Sequence, residues 1–112
     1  MNLELKGKTA VITGGSVGIG LAVADGLAAE GVDVALIARD GERARERARD
    51  IASRRGVKAL GIAADVARAD DIARALQEIG QSFGDTDILI NNAGTGSNET
   101  IQEAPDAKWQ YY

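Results

Sequence analysis

An apolar run, Thr9-Ala-Val-Ile-Thr13, passes directly into the turn Gly14-Gly-Ser-Val-Gly-Ile-Gly20 and from there into small residues that end at Gly31. Five residues of that character are too few for a helix and read as a short buried strand. Residues 18–30 read as a helix, with Gly31 closing its C-terminal end. A strand that feeds a helix through so tight a turn leaves the first backbone N–H groups of the helix without partners. Together with the helix dipole, those groups favour an anion, above all a phosphate. Gly14, Gly18 and Gly20 meet the three demands of such a turn: a tight bend, bare backbone for an approaching ligand, and close helix–strand packing.

The same alternation recurs. Residues 32–38 (Val-Asp-Val-Ala-Leu-Ile-Ala) read as a second strand. Residues 40–55 read as a second helix, with Asp40 as N-cap, Glu42 in the first turn, Ala44, Ala48, Ile51 and Ala52 on one face, and Gly56 as its stop. A third strand is expected over 57–63. A third helix is expected over Ala69–Phe83, with Ile72, Leu76, Ile79 and Phe83 along its apolar face. Residues 87–91 (Asp-Ile-Leu-Ile-Asn) form a fourth strand, followed by a polar loop and by Pro105 in the first turn of a further helix. Alternation with short connections implies an α/β fold: a parallel sheet with right-handed crossovers, covered by helices on both faces. The fourth strand reads as a buried central strand, yet in a four-stranded sheet it would be a bare edge open to self-association. The domain is therefore expected to be incomplete at residue 112.

Composition narrows the chemistry. The 112 residues contain no cysteine and no histidine, which removes disulfides, thiolate and imidazole metal sites, and serine or cysteine triads that need histidine. A net charge of −4 and 4% aromatic residues give no reason to expect nucleic acid or an anionic membrane as partner. The alternating arginines Arg43, Arg45, Arg47 and Arg49 are spread around a helix rather than gathered. Glu46 and Asp50 stand where they can pair with Arg49 and Arg54 as a solvated surface. Neither a signal peptide nor an apolar run of membrane-spanning length is present, so a cytoplasmic protein is expected. The glycine turn lacks the Gly-Lys-Ser/Thr ending of a P-loop.

Three further features fall where a dinucleotide would need them. The second strand ends at Ala38-Arg39, about 20 residues past the glycine turn, where an adenosine ribose belongs. Ala38 offers no carboxylate to a 2′-hydroxyl, whereas the Arg39 guanidinium suits a 2′-phosphate, so NADP is preferred over NAD. Beyond the third strand, Asp65 can accept from an adenine amino group and the Val66 N–H can donate to the ring; equally, Asp65 can cap the turn before the third helix. The fourth strand ends in Asn91-Asn-Ala-Gly94, beside the first strand at the point where the sheet order reverses. There an asparagine can tie strand ends together and small residues admit a ligand, although an asparagine-rich turn would look the same.

Taken together, Thr13-Gly-Gly-Ser-Val-Gly-Ile-Gly20, Asp65-Val66 and Asn91-Asn-Ala-Gly94 closely resemble the short-chain dehydrogenase/reductase family over almost the whole chain. The resemblance implies a Rossmann-type, three-layer, doubly wound parallel sheet, here with about four strands and three to four helices. It also implies a nicotinamide cofactor and hydride transfer between a carbonyl and an alcohol. By the same resemblance Gly14, Ser16, Gly18, Ile19 and Gly20 form the diphosphate side, Arg39 selects NADP, and Asp65 and Val66 contact adenine. Asn91, Ala93 and Gly94 form the ribose and sheet-tying segment. The family's reaction uses a tyrosine as acid/base, a lysine four residues later and a serine that steadies the carbonyl. Tyr111 and Tyr112 are the chain's tyrosines and have no residue four positions beyond them, and Ser97 precedes the expected serine. No catalytic residue is carried over. The expectation is an N-terminal cofactor-binding part, residues 1–112, inactive by itself and meeting a carbonyl or alcohol substrate only if the rest is supplied. The alternative is a non-catalytic dinucleotide-binding or association module.

Overall fold

A computed structural model describes residues 5–14 and 17–92. In chain order the elements are β1 (Thr9–Thr13), α1 (Gly18–Ala29), β2 (Asp33–Ala38), α2 (Gly41–Arg55), β3 (Ala59–Ala63), α3 (Ala69–Phe83) and β4 (Ile88–Asn91). The strands form one parallel sheet in the order β3-β2-β1-β4. The chain steps outward from β1 to β3, then crosses back to place β4 on the other side of β1. That reversal puts the topological switch point between β1 and β4, as the strand–helix alternation implied.

Side chains alternate across the sheet and split the core in two. On one face Ile12, Val34 and Leu36 meet Ala24 and Ala28 of α1 and Ala44, Ala48 and Ile51 of α2. On the other, Val11, Ala35, Ile37 and Ile62 meet Ala75 and Ile79 of α3. This is the expected three-layer Rossmann-type arrangement. The α2 layer lies so close to β3 that a Cβ at Gly61 would run into the backbone of Ala44 and Arg45.

Several boundaries differ from the sequence expectation, each for a local reason. Helix α1 ends at Ala29, and Gly31 (φ 85°) makes the turn that follows. Strand β4 begins at Ile88 because Asp87 is turned back on β1. Its Oδ2 accepts from the Thr9 N–H at 2.9 Å, and its own N–H donates to the Thr9 carbonyl at 3.0 Å. Strand β3 begins two residues late: the Lys58 N–H donates to the Asp33 carboxylate at 2.9 Å rather than to strand backbone, while the Lys58 carbonyl accepts from the Val34 N–H at 3.1 Å. On α3 the buried stripe runs through Ala75 and Ile79, flanked by Ile72 and Phe83, whereas Leu76 lies off it and is 49% exposed. Asp50 pairs with Arg54 at 2.9 Å as expected, but Glu46 and Arg49 form no ion pair among the described residues. Arg54 and Arg55 instead converge on Asp25 of α1, at 3.0 and 2.9 Å, and fasten the two helices together. The expected helix at Pro105 lies outside the described residues. No helix among the described residues is long and apolar enough to cross a membrane.

Candidate dinucleotide cleft

At the carboxyl ends of the strands lies a cleft of about 500 Å³. Gly14, Val17, Gly18 and Ile19 wall it from the β1–α1 turn. Ile37, Ala38 and Arg39 close it at the end of β2, residues 64–67 beyond β3, and Asn92 beyond β4. Each wall stands at or just after the carboxyl end of a strand, so the parallel sheet itself brings them to one side.

The turn is shaped by backbone. Gly14 (φ 67°) extends the sheet by one bond, its N–H donating to the Ile37 carbonyl at 2.7 Å, and Gly18 (φ 56°) opens α1. Both conformations are cheap for glycine alone. Among the described residues a Cβ at Gly18 would meet nothing within 4 Å. Gly20 works differently: it is buried, and a Cβ there would strike the Gly14 carbonyl and come within 2.7 Å of the Asn92 side-chain nitrogen. Helix α1 begins after Val17, an extended residue that makes no side-chain cap, and has no acidic residue in its first turn. By contrast α2 is capped, with the Asp40 carboxylate accepting from the Arg43 N–H at 3.0 Å. Among the described residues nothing caps the α1 terminus, whose positive dipole end lies at the cleft.

The remaining walls carry the polar groups. Arg39 is exposed and forms no ion pair among the described residues, while the neighbouring Asp40 is committed to its cap and to Arg43. Asp65 both turns the chain and faces the cleft. Its Oδ1 accepts from the Ala67 N–H at 2.9 Å, and among the described residues Oδ2 accepts nothing. The turn-capping reading of Asp65 is thus seen directly, in a residue that also lines the cleft. At the switch point the Thr13 hydroxyl donates to the Ile90 carbonyl at 3.3 Å and accepts from the Asn92 N–H at 3.0 Å. The Asn92 side chain then reaches the Gly14 carbonyl at 3.5 Å and ties the end of β4 to the glycine turn.

Of the residues singled out from sequence, Gly14, Gly18, Ile19, Arg39, Asp65 and Val66 line the cleft and Gly20 underlies it. Asn91 ends β4 opposite Thr13, with its Oδ1 buried and unpartnered among the described residues, and does not line the cleft. Ser16, Ala93 and Gly94 lie outside the described residues. Asn92, Val17, Ala64 and Ala67 were not singled out. Asn92 had a signal, since successive residues of a strand point to opposite faces, but the sequence alone does not say which of two adjacent asparagines faces the turn.

The profile of the short chain dehydrogenase family matches residues 8–112. The chain belongs to the short-chain dehydrogenase family. Among relatives in this family, the 3-oxoacyl-(acyl-carrier-protein) reductase FabG of Aquifex aeolicus is 40% identical over 110 residues, covering 98% of this chain and 44% of that protein. The crystal structure of L-sorbose reductase from Gluconobacter frateurii, complexed with NADPH and L-sorbose, superposes with a TM-score of 0.83. It is 50% identical and covers 99% of this chain and 42% of that one. An alcohol dehydrogenase from the archaeon Thermococcus sibiricus, complexed with 5-hydroxy-NADP, gives a TM-score of 0.77 at 34% identity, with 92% and 44% covered. The chain thus spans less than half the length of each of these short-chain dehydrogenase relatives.

Proposed function

We propose that residues 1–112 are the N-terminal, NADP-binding part of a short-chain oxidoreductase that transfers hydride between nicotinamide and a carbonyl or alcohol. The observation that carries this reading is the junction, on the walls of one cleft, of the α1 terminus with Arg39, the first uncapped and the second without an ion-pair partner among the described residues. The α1 terminus and Gly18 take the diphosphate; Ser16 and Ile19 belong to the same side. Arg39 takes the 2′-phosphate, as a guanidinium can with paired charge-assisted hydrogen bonds. Asp65 Oδ2 accepts from the adenine amino group and the Val66 N–H donates to the ring. Asn91, Ala93 and Gly94 serve the ribose end and the tie between strands. When bound, NADP supplies or accepts the hydride; in this reading the residues that move the accompanying proton lie outside the chain. Two structural relatives were crystallised with NADPH or an NADP derivative, which favours the phosphorylated cofactor.

The same reading assumes a cytoplasmic setting, where nicotinamide dinucleotides are available. It also carries association of two copies through β4, which pairs only with β1 among the described residues and leaves Leu89 53% exposed.

Isothermal titration with NADP and NAD tests the cofactor assignment. The expected result is saturable binding with NADP the tighter ligand. Arg39→Ala should weaken NADP by roughly 10- to 100-fold, the worth of a charged hydrogen-bonding group, and leave NAD nearly unchanged. Equal losses for both cofactors would remove Arg39 from the 2′-phosphate role.

A further inference from the structure

Among the described residues strand β3 is an edge of the sheet, and half of its backbone groups have no neighbouring strand there. The Ala64 N–H points inward and donates to the Ala38 carbonyl at 3.0 Å. Backbone direction alternates along an extended chain, so the groups of Ala63 and Asp65 point outward, to the open side. Two side chains of α3 meet them there. Asp71 Oδ2 accepts from the Asp65 N–H at 2.8 Å, and Arg74 Nη2 donates to the Ala63 carbonyl at 2.9 Å. The two side chains also face each other, Arg74 Nη2 lying 3.7 Å from Asp71 Oδ1. Asp71 is 30% exposed, the more sheltered of the pair.

We infer that Asp71, steadied by Arg74, is a positioning residue that sets the adenine preference of the cleft by holding the Asp65 peptide from behind. The inference rests on the NADP reading above. With its own N–H fixed by Asp71 and its Oδ1 fixed by the Ala67 N–H, Asp65 has little freedom left where it lines the cleft, and among the described residues its Oδ2 accepts nothing that would hold it back. A base whose edge offers an amino group is then favoured over one that offers a carbonyl. The carboxylate of Asp71 also stands in the first turn of α3, where any acid benefits from the helix dipole, but Asp70 stands there too and is not tied to the Ala63–Asp65 backbone. Asp70 therefore separates the two roles.

The test uses the whole chain as wild type, Asp71→Ala, Asp71→Asn and Asp70→Ala. Two quantities are read: amide hydrogen exchange at residues 65–67, and the ratio of dissociation constants for NADP and its deaminated, hypoxanthine-bearing counterpart. Slow exchange in β2 certifies that each variant is folded. Asp71→Ala should speed exchange of the Asp65 amide and cut the preference for adenine by about five- to tenfold, the worth of one net hydrogen bond. Asp71→Asn, which keeps an acceptor oxygen, should restore most of both, and Asp70→Ala should alter neither. The inference is overturned if Asp71→Ala leaves exchange at wild-type rates, if exchange rises while the adenine preference stays unaltered, or if Asp70→Ala matches Asp71→Ala. A wild-type chain that binds no NADP refutes the reading of the cleft instead, and the exchange results then decide whether Asp71 holds the segment.

Discussion

A single methyl group at position 20 would disturb the cleft from beneath, because the space it needs already belongs to the Gly14 carbonyl and the Asn92 amide. Overpacking of that kind forces backbone to move and costs about 1–3 kcal/mol. Gly20→Ala is therefore expected to lower the urea midpoint by that equivalent. Gly18 makes the opposite case. Among the described residues nothing lies within 4 Å of a Cβ there, so Gly18→Val meets no clash with them but forces a branched residue to φ 56° on the wall of the cleft. Calorimetry should show NADP affinity lost by tenfold or more, with the strain of the left-handed conformation costing about 1–2 kcal/mol of stability. At this scale the glycines were legible because their demands are local: a positive φ or a close approach follows from the turn itself. The role of Asp65 was legible only as a pair of alternatives. The structure shows one of them, Oδ1 accepting from the Ala67 N–H, in a residue that also lines the cleft.

Helices α1 and α2 are joined at their polar sides by one carboxylate shared between two arginines. The hydrogen bonds and charges of Arg55 and then Arg54 hold the Asp25 carboxyl at about 2, below its ordinary 3.8, against a smaller opposing effect of burial. A carboxyl depressed in the folded state stabilises the fold above its unfolded pKa and loses that contribution as pH falls through the folded value. The clamp should thus act fully above about pH 4 and fade as pH falls toward 2. Both arginines are substantially solvent-exposed, so the clamp adds little to stability. Asp25→Asn is expected to be slightly less stable than wild type at pH 7 in urea titrations, with the gap closing between about pH 4 and 2. On the far side of α2, Gly61→Ala should cost about 1–3 kcal/mol, since the added Cβ meets helix backbone that cannot swing away. Periodicity made every described element visible, and the Asp40 cap and Gly56 stop fell where their chemistry requires. The clamp was not visible, because it joins residues 29 and 30 positions apart whose meeting depends on how α1 and α2 lie against the sheet. Strand starts slipped for a related reason: Asp87 and Asp33 spend their carboxylates on neighbouring strands, which is a tertiary event.

The whole molecule places its chemistry by topology. Strand order β3-β2-β1-β4 sends every strand's carboxyl end to the same side, and the reversal at β1 opens a crevice there that needs no dedicated residue to exist. This much was readable from strand–helix alternation together with the glycine turn. The bracing of the adenine wall by α3 was not, because it depends on β3 being the outer strand and on which turn of α3 passes that edge. The central claim is that the crevice receives a 2′-phosphorylated adenine dinucleotide. Its most direct test is a nitrogen–proton correlation spectrum of the labelled chain titrated with NADP. The account predicts saturable shifts concentrated at Gly14, Gly18, Ile19, Arg39, Asp65 and Val66, with α2 beyond Glu42 nearly silent. Shifts absent at saturating NADP, or gathered instead along the arginine-bearing outer face of α2, would contradict it.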